Sequence, residues 1–321
     1  MKPLFIFSLP RSGSTLLQKV LMSHPEIKSI AEPWILIPFC YALKKNGILA
    51  EYNHETFSIA FHDYINALPN KVDDYYSAIN GFINELYKKQ ASGNEKYFLD
   101  KTPRYYTIIP EISKIFPEGK FIFLFRNPVQ ILSSIIQTWG KGELKNLYNN
   151  DIDLKYGFTL LIRGYELLKD RSFSLNYENF VNNPKHYLML ISKYLEIDYD
   201  EKMLIDFSKQ HFKGRKGDQG DLSESQIIEK VSVERWRMTF NNIYRKRYLR
   251  KFIRDIDENI LKRMGYNKQK ILNEINSLET SNNRFLCDFL WKTYSDLIIK
   301  YKLNIFFRNN TKKWVKDKYL S

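Results

Sequence analysis

Cysteine is scarce in this chain, which has 321 residues and two cysteines, Cys40 and Cys287. Scaffolds held together by disulfides are short and dense in cysteine, so this class of protein is excluded. Because cysteine is among the residues most often buried, we expect both to be free thiols in the core. There is no cluster of His and Cys at the spacing of a zinc site, and we expect no metal.

Long apolar runs are missing as well. No segment reaches the roughly 18 to 20 consecutive apolar residues that a transmembrane helix requires. The first apolar run ends at Pro10 and Arg11 and is too short for a signal peptide. We therefore expect a cytoplasmic protein, long enough to form a large core in one or two domains.

Acidic residues are outnumbered, with 36 Asp and Glu against 50 Lys and Arg, which gives a net charge of +14. Such a surface favours an anionic partner: a phosphorylated cofactor, an acidic polymer, an anionic lipid or nucleic acid. Charge alone does not choose among them, so the choice depends on motifs.

Short apolar runs alternate with helical patterns along the first two thirds of the chain. The apolar runs predict strands at residues 4–9, 96–103, 120–125 and 172–177. The helical patterns cover residues 15–25, 110–116, 127–139, 153–169 and 183–195. Strands separated by helices predict an α/β fold with a central parallel sheet flanked by helices.

Two of these helices begin with an Asn-Pro pair, at Asn127 and at Asn183. An asparagine side chain can accept a hydrogen bond from a free backbone N–H of the first turn, and proline suits the first helical position. We expect both asparagines to cap their helices.

Polar residues stand at or just beyond the ends of four predicted strands. They are Arg11, Lys101, Arg126 and Tyr177. Ligands of parallel α/β sheets bind at the carboxyl ends of the strands. The sequence therefore predicts one site built from four separate segments.

The turn after the first strand reads PRSGST, residues 10–15. The N-terminus of a helix attracts anions, Gly13 lets the backbone approach closely, and Arg11 adds charge. The pattern is neither a Walker A loop nor a dinucleotide fingerprint. Taken alone, these residues also fit an ordinary turn from strand to helix.

A second anion motif follows the strand at 120–125. Arg126 ends the strand, and Ser134 lies about two turns into the next helix. The alternatives are an arginine paired with a carboxylate and a solvated serine. Ser133 takes the place of Ser134 if the helix is rotated.

These motifs together resemble the PAPS-dependent sulfotransferase family, whose donor is 3′-phosphoadenosine 5′-phosphosulfate (PAPS), and they are closest in style to its bacterial and tyrosylprotein branches. The resemblance runs over roughly residues 3–240 and implies a P-loop-like three-layer fold. It implies that the first loop grips the phosphosulfate of PAPS through Arg11, Ser12, Gly13, Ser14 and Thr15. It also implies that Arg126 and Ser134 hold the 3′-phosphate.

Two later segments extend the resemblance. The segment at 176–197 is similar to a family segment whose tyrosine contacts the adenine, which implies this role for Tyr177. The polar stretch GRKGDQGD at 214–221 resembles the family's late loop beside the 3′-phosphate. That likeness implies donor contacts by Arg215, Lys216 and Gly217.

Sulfuryl transfer to a hydroxyl needs a base for the acceptor proton and a positive charge near the moving group. In the family branches that this chain resembles, a Glu downstream of a structural His-Pro is the base, which implies Glu32 after His24. His62 and His211 are weaker alternatives for the base. Glu32 also fits a solvated loop carboxylate without a catalytic role. Lys101 would supply the charge, or else is a surface lysine.

Two neighbours of Lys101 are also candidates. Asp100 could orient the Lys101 ammonium, and Arg104 could contact substrate or donor. The resemblance does not decide either role.

The resemblance fades beyond about residue 240, and we expect a sulfotransferase domain over 1–265 and a helical basic extension over 266–321. A stripe in the extension predicts core or a partner seam. It comprises Leu286, Leu290, Tyr294, Leu297 and Tyr301. The last 18 residues mix lysines with aromatics, which fits contact with an anionic membrane or a docked, solvated helix.

The function predicted from these motifs is sulfuryl transfer from PAPS to a hydroxyl of a sugar, lipid, peptide or small metabolite. One alternative is a P-loop-like kinase, which lacks its Walker lysine here. The other is a basic membrane- or nucleic-acid-binding module, which does not explain the ordered strand-end motifs. We therefore expect no nucleic-acid partner.

Overall fold

Five strands form a parallel sheet in the computed structural model, which describes residues 1–45, 48, 50, 52–212 and 235–303. The strands are β1 (Lys2–Phe7), β2 (Ile27–Ser29), β3 (Tyr97–Asp100), β4 (Lys120–Phe125) and β5 (Ser172–Asn176). Their order across the sheet is β2-β3-β1-β4-β5. The predicted α/β class with a central parallel sheet flanked by helices is confirmed.

The position of β1 explains where a ligand would bind. The chain leaves β1 toward one side of the sheet, returns in β3 beside it, and then adds β4 on the other side. This reversal next to β1 is a topological switch point, where α/β sheets open a crevice at the carboxyl ends of the strands. The loop after β1 lies at that edge.

Aromatic side chains lock β1 to β4. The rings of Phe5 and Phe121 stack with centroids 5.9 Å apart, and those of Phe7 and Phe121 with centroids 5.7 Å apart. All three are fully buried. Each such burial contributes roughly 1.5 to 3 kcal/mol, so the strands hold their carboxyl ends in a rigid register.

None of the helices in the described part of the chain is long and apolar enough to cross a membrane. The first seven are α1 (Ser14–Leu21), α2 (Leu36–Ala42), α3 (His54–Asn66), α4 (Val72–Gln90), α5 (Ile109–Ile115), α6 (Pro128–Thr138) and α7 (Phe158–Leu168). Next come α8 (Tyr177–Asn182), α9 (Pro184–Leu195), α10 (Lys202–Ile205) and α11 (Trp236–Thr239). The last are α12 (Ile243–Asp255), α13 (Glu258–Arg263), α14 (Lys268–Asn276) and α15 (Phe285–Lys300).

The two predicted asparagine caps differ. The Asn127 side chain accepts from the backbone N–H of Val129 at 3.0 Å, so α6 is capped as predicted. Asn183 makes no such bond, and the prediction is wrong there. At Asn127 the backbone has ψ 123°, and the side chain reaches the first turn of α6. At Asn183 the backbone has φ −142° and ψ 67°, and the side chain does not reach the first turn of α9.

The fold divides into two compact units that are discontinuous in sequence. The first unit comprises the described residues within 1–125 and 160–230, and contains the sheet. The second comprises those within 126–159 and 231–321, and its core is helical, with α14 packed on α12. The predicted boundary between residues 265 and 266 lies inside the second unit.

Helix α15 excludes one of the two predicted roles of its stripe and contradicts the expected burial of Cys287. Its stripe of leucines and tyrosines, predicted as core or a partner seam, is exposed, so it is not core within the described part of the chain. Cys287 is exposed too, whereas Cys40 is buried as expected. Burial raises the pKa of the Cys40 thiol to about 12. Periodicity identified a helical face but could not say which face meets the core.

Candidate active site

The loop after β1 turns by means of two residues in the left-handed region. Arg11 has φ 65° and Gly13 has φ 87°. The backbone N–H of Ser12 donates to the Leu9 carbonyl at 3.3 Å, which closes the turn. Helix α1 starts directly after Gly13 and has no acidic residue in its first turn, so its N-terminus keeps its positive character.

Hydroxyl groups line this loop. Ser8, Ser12, Ser14 and Thr15 are all buried. Within the described ranges the Oγ atoms of Ser8 and Ser12 have no hydrogen-bond partner. Leaving such a group unpaired costs about 1 to 3 kcal/mol, which a bound oxyanion would offset by accepting their protons. The loop thus presents donors of the kind that an anion needs, and its contact with the phosphosulfate stays a prediction.

Tyr177 meets the same loop. It is buried, it begins α8 directly after β5, and its ring lies against Gly13. A Cβ added at Gly13 would sit 2.3 Å from that ring. Glycine is therefore required at this position both for its backbone and for the close approach of Tyr177. The structure brings together two residues that were predicted from separate motifs.

Lys101 connects the loop to the predicted base. Its Nζ lies 2.7 Å from Glu32 Oε1 and 3.4 Å from Thr15 Oγ1. The Lys101 side chain is 1% exposed, so it is not the surface lysine of the alternative reading. The Glu32 side chain is 12% exposed and keeps a route to solvent. A cation and a carboxylate thus meet next to the anion loop.

Trp34 is a site residue that the sequence did not indicate. Its indole N–H donates to Glu32 Oε2 at 3.2 Å, while Lys101 holds the other oxygen. Its backbone is left-handed, with φ 55°, and its N–H donates to Thr102 Oγ1 at 3.3 Å. Both oxygens of Glu32 are therefore oriented from groups on different segments. A tryptophan after Pro33 carries no motif from which this could be read.

Asp100 lies beneath this pair and is fully buried. It accepts hydrogen bonds from Tyr87 at 2.6 Å, Tyr105 at 3.0 Å and Thr102 at 3.3 Å. Burial raises the pKa of its carboxyl to about 6, against the lowering effect of these bonds and of the Lys101 charge. Through Thr102, Asp100 supports the backbone of Trp34; its orienting role toward Lys101 stays a prediction.

The histidines make backbone contacts. His24 is buried, lies 2.9 Å from the Asp198 carbonyl through Nε2, and accepts from the Glu26 N–H through Nδ1. This agrees with the structural role that the resemblance implied. His62 contacts the Leu43 carbonyl at 3.1 Å, and His211 is exposed after α10.

The second anion motif belongs to the second unit. Arg126 is buried, and its Nε donates to Gln130 Oε1 at 3.0 Å. Ser133 is turned into the unit, where its Oγ lies 2.7 Å from Thr239 Oγ1. Ser134 is less buried than Ser133. The rotation of α6 thus commits Ser133 to packing, and a donor contact by Ser134 stays a prediction.

Three predicted donor residues, Arg215, Lys216 and Gly217, lie outside the described residues. Arg104 is half-buried on the turn that follows Thr102. Among the side chains that the structure describes, no group of three or more His, Cys, Asp or Glu is placed to hold a metal ion.

Comparison with known families gives a match over more than half of the chain. Residues 3–201 match the model of the Sulfotransferase family. The matched region contains the sheet, the loop after β1, and the residues Glu32, Lys101 and Arg126.

Individual relatives agree with this match. The nodulation protein NoeE of Sinorhizobium fredii is 30% identical over 141 residues, which are 42% of this chain and 31% of NoeE. Protein-tyrosine sulfotransferase 1 of Danio rerio is 24% identical over 244 residues, covering 72% of this chain and 63% of that protein. The chain therefore spans less than two thirds of the length of either relative.

A solved structure has the same fold. The sulfotransferase domain from the curacin biosynthetic pathway aligns with a TM-score of 0.53 and 19% identity. The alignment covers 83% of this chain and 98% of that domain. At this identity the likeness establishes the fold and does not extend to the substrate.

Proposed function

The chain belongs to the sulfotransferase family, and from this premise we propose that it transfers a sulfuryl group from PAPS to a hydroxyl group of an acceptor, with Glu32 as the general base. The observation that carries the proposal is the pair of contacts made by Lys101. One ammonium touches both the carboxylate that would take the acceptor proton and a hydroxyl of the anion loop.

The residues of the first loop fit the phosphosulfate end of PAPS. The unpartnered hydroxyls of Ser8 and Ser12 need acceptors, and the N-terminus of α1 favours negative charge. Arg11, Ser14 and Thr15 complete the set of donors. When bound, PAPS supplies the sulfuryl group and leaves as adenosine 3′,5′-bisphosphate.

Glu32 and Lys101 would then have separate roles, one in proton transfer and the other in charge stabilisation. Glu32 accepts the proton of the acceptor hydroxyl; each carboxylate oxygen has two lone pairs, so the bonds from Lys101 and Trp34 leave room for it. Lys101 places a fixed positive charge beside the reacting centre without further reorganisation, because it is already held in place. Trp34 positions Glu32 and its exposed ring leaves space for an acceptor.

The other donor contacts are carried over from the family motifs. Arg126 and Ser134 would bind the 3′-phosphate, Tyr177 would contact the adenine, and Arg215, Lys216 and Gly217 would add donor contacts. Arg126 is buried at the end of β4, where its Nε donates to Gln130, and a guanidinium suits a phosphate because it is always charged and donates in a fork.

The acceptor is proposed only by class. Protein-tyrosine sulfotransferases are among the relatives, so peptide tyrosines are the hydroxyl acceptors to try first, and sugars, lipids and small metabolites complete the panel. Incubation with radiolabelled PAPS and such a panel, followed by mass spectrometry of the products, tests the proposal. Labelled product without added Mg²⁺ is expected.

Isothermal titration separates binding from chemistry. Adenosine 3′,5′-bisphosphate should bind the wild type, Glu32→Ala and Lys101→Ala with similar affinity, whereas Arg126→Ala should bind it more weakly. Normal binding by Arg126→Ala would overturn the role of that residue. If the protein binds ATP in the presence of Mg²⁺ and does not bind adenosine 3′,5′-bisphosphate, the proposed sulfuryl transfer is overturned in favour of a kinase.

A further inference from the structure

Helix α15 carries an apolar stripe that nothing in the described structure covers. Leu286, Leu290 and Leu297 are 71%, 62% and 45% exposed, and Tyr294 and Tyr301 stand between and beyond them. Spacings of three and four residues put all five on one face. Isolated exposed leucines are ordinary, but a continuous stripe of this length marks a surface with a partner.

The opposite face of α15 is the one that holds the helix to its unit. Asp288, Ser295 and Ile298 are buried there. Asp288 forms an ion pair with Arg245, with Nη2 to Oδ1 at 2.8 Å. The helix is thus anchored largely by polar groups and presents its aliphatic residues outward. Packing within the unit does not explain the stripe.

Positive charge surrounds the stripe. Lys300 and Lys302 are exposed at its C-terminal end, and the Lys145 ammonium lies 4.4 Å from the centre of the Trp291 ring. Asp296 is already paired with Lys292. The 18 residues that follow Leu303 in the sequence add five Lys and Arg against one Asp.

This charge distribution disfavours a second copy as the partner. In a parallel pairing of two α15 helices, Lys300 and Lys302 of the two copies would meet at the end of the shared apolar strip, and in either orientation each copy brings a rim of net positive charge, because Asp296 is already paired with Lys292. The same cations would be attracted to an anionic surface. The combination of an apolar stripe, interfacial tyrosines and a basic rim is that of an interfacial helix.

We propose that the stripe of α15 docks this protein on a membrane that contains anionic lipids. The three leucines enter the boundary between headgroups and acyl chains, and Tyr294 and Tyr301 lie with their rings in the same layer and their hydroxyls toward water. Lys300 and Lys302 contact the lipid phosphates. Docking of this kind is independent of the proposed reaction.

Vesicle flotation tests this with the full chain and two kinds of vesicle, phosphatidylcholine alone and phosphatidylcholine with phosphatidylglycerol. Wild type should bind the anionic vesicles and bind the neutral ones weakly. The double variant Leu290→Glu/Leu297→Glu should lose at least about tenfold in vesicle partitioning. A matched variant, Ile205→Glu/Met238→Glu, changes two exposed apolar residues off the stripe and should bind like wild type.

A second variant tests the contribution of the lysines, and further measurements test folding and dimer formation. Lys300→Glu/Lys302→Glu should bind anionic vesicles about tenfold less and lose the salt dependence of binding. Circular dichroism and thermal unfolding must show that each variant folds, as expected for exposed positions. Failure of wild type to bind, or unchanged binding by the stripe variant, overturns the proposal. So does a dimer, detected by light scattering, that the stripe variant dissociates, since it would identify a second copy.

Discussion

Each unit of the protein contains a carboxylate–cation pair that is largely removed from water, and the two pairs differ in how fully they are bonded. In the first unit Lys101 contacts one oxygen of Glu32, and the indole of Trp34 contacts the other at 3.2 Å. In the second unit Arg245 grips both oxygens of Asp288, each at 2.8 Å. Glu32 keeps 12% exposure, whereas Asp288 keeps 1%.

The pair in the second unit is held by more hydrogen bonds. Asp288 also accepts from the Asn242 side chain at 2.6 Å. Arg245 donates to the carbonyls of Thr239 at 3.1 Å and Gly142 at 2.7 Å. At 7% and 1% exposure, Arg245 and Asp288 are also closed to a substrate, whatever bonding capacity they keep. The difference teaches that burial of an ion pair does not indicate a reactive site; spare capacity at an accessible oxygen does.

The largest expected effect is on the Glu32–Lys101 pair. Glu32→Gln keeps the shape of the side chain and its contact with Lys101 but removes the proposed base. Because a positioned base contributes about 10²- to 10⁴-fold, kcat should fall by that factor. Initial rates measured with PAPS and an identified acceptor check this.

The control for that variant is Glu196→Gln, which alters an exposed carboxylate paired with Lys120. It should leave kcat unchanged. If Glu32→Gln has the wild-type kcat, Glu32 is not the base, and the proposed functional difference between the two ion pairs is wrong.

The Arg245–Asp288 pair should show the opposite behaviour, a loss of stability. Asp288→Ala leaves a buried arginine without its counter-ion, so the free energy of unfolding should fall by about 3 to 5 kcal/mol. Urea denaturation followed by circular dichroism measures this. Asp206→Ala, at an exposed pair with Lys209, is the matched control and should cost less than about 1 kcal/mol.

A small loss at Asp288 would mean that the pair in the second unit contributes little more than an exposed one. The structural reading of its hydrogen bonds would then be wrong.

Asp100 sharpens the comparison through pH. Burial raises its pKa from 3.8 to about 6, so between these values the unfolded chain releases the proton before the folded chain does. Stability therefore falls as pH rises through this window and stays lower above it, by about 3 kcal/mol. The test is to measure the free energies of unfolding of wild type and Asp100→Asn over this window, from about pH 4 to about pH 7. The two free energies should diverge as the pH increases. Parallel curves would rule out this contribution.

The smallest effect is expected at Trp34. Trp34→Phe keeps an aromatic ring but loses the N–H that orients Glu32 Oε2. A single hydrogen bond of ordinary strength corresponds to about a 3- to 10-fold decrease in kcat. Binding of adenosine 3′,5′-bisphosphate should not change. A variant as active as wild type would show that Lys101 alone positions the base.

Local patterns predicted much of the fold because they depend on neighbouring residues. The buried run at 120–125 is β4 with the same bounds, and the Asn127 cap follows from two adjacent residues. The anion loop was predicted because Gly13 and the hydroxyls around it lie within six positions. The resemblance to sulfotransferases, carried by such local motifs, is confirmed by the family match.

Contacts between distant segments escaped prediction. Trp34 and Thr102 are 68 positions apart, and no local pattern relates them. The same reason explains the misplaced cap at Asn183 and the exposure of Cys287, because backbone angles and helix orientation depend on what packs nearby. Arg245 and Asp288, 43 positions apart, were not predicted to meet.

The sequence by itself determined the alternation of strands and helices, and with it the edge where Arg11, Lys101 and Tyr177 would lie, since parallel strands place their carboxyl ends together. Only the tertiary structure decided that Glu32 lies 2.7 Å from Lys101, that Ser133 faces Thr239, and that the stripe of α15 points outward. The physical reason is that periodicity tells which side chains share a face, whereas what covers that face depends on elements far away along the chain.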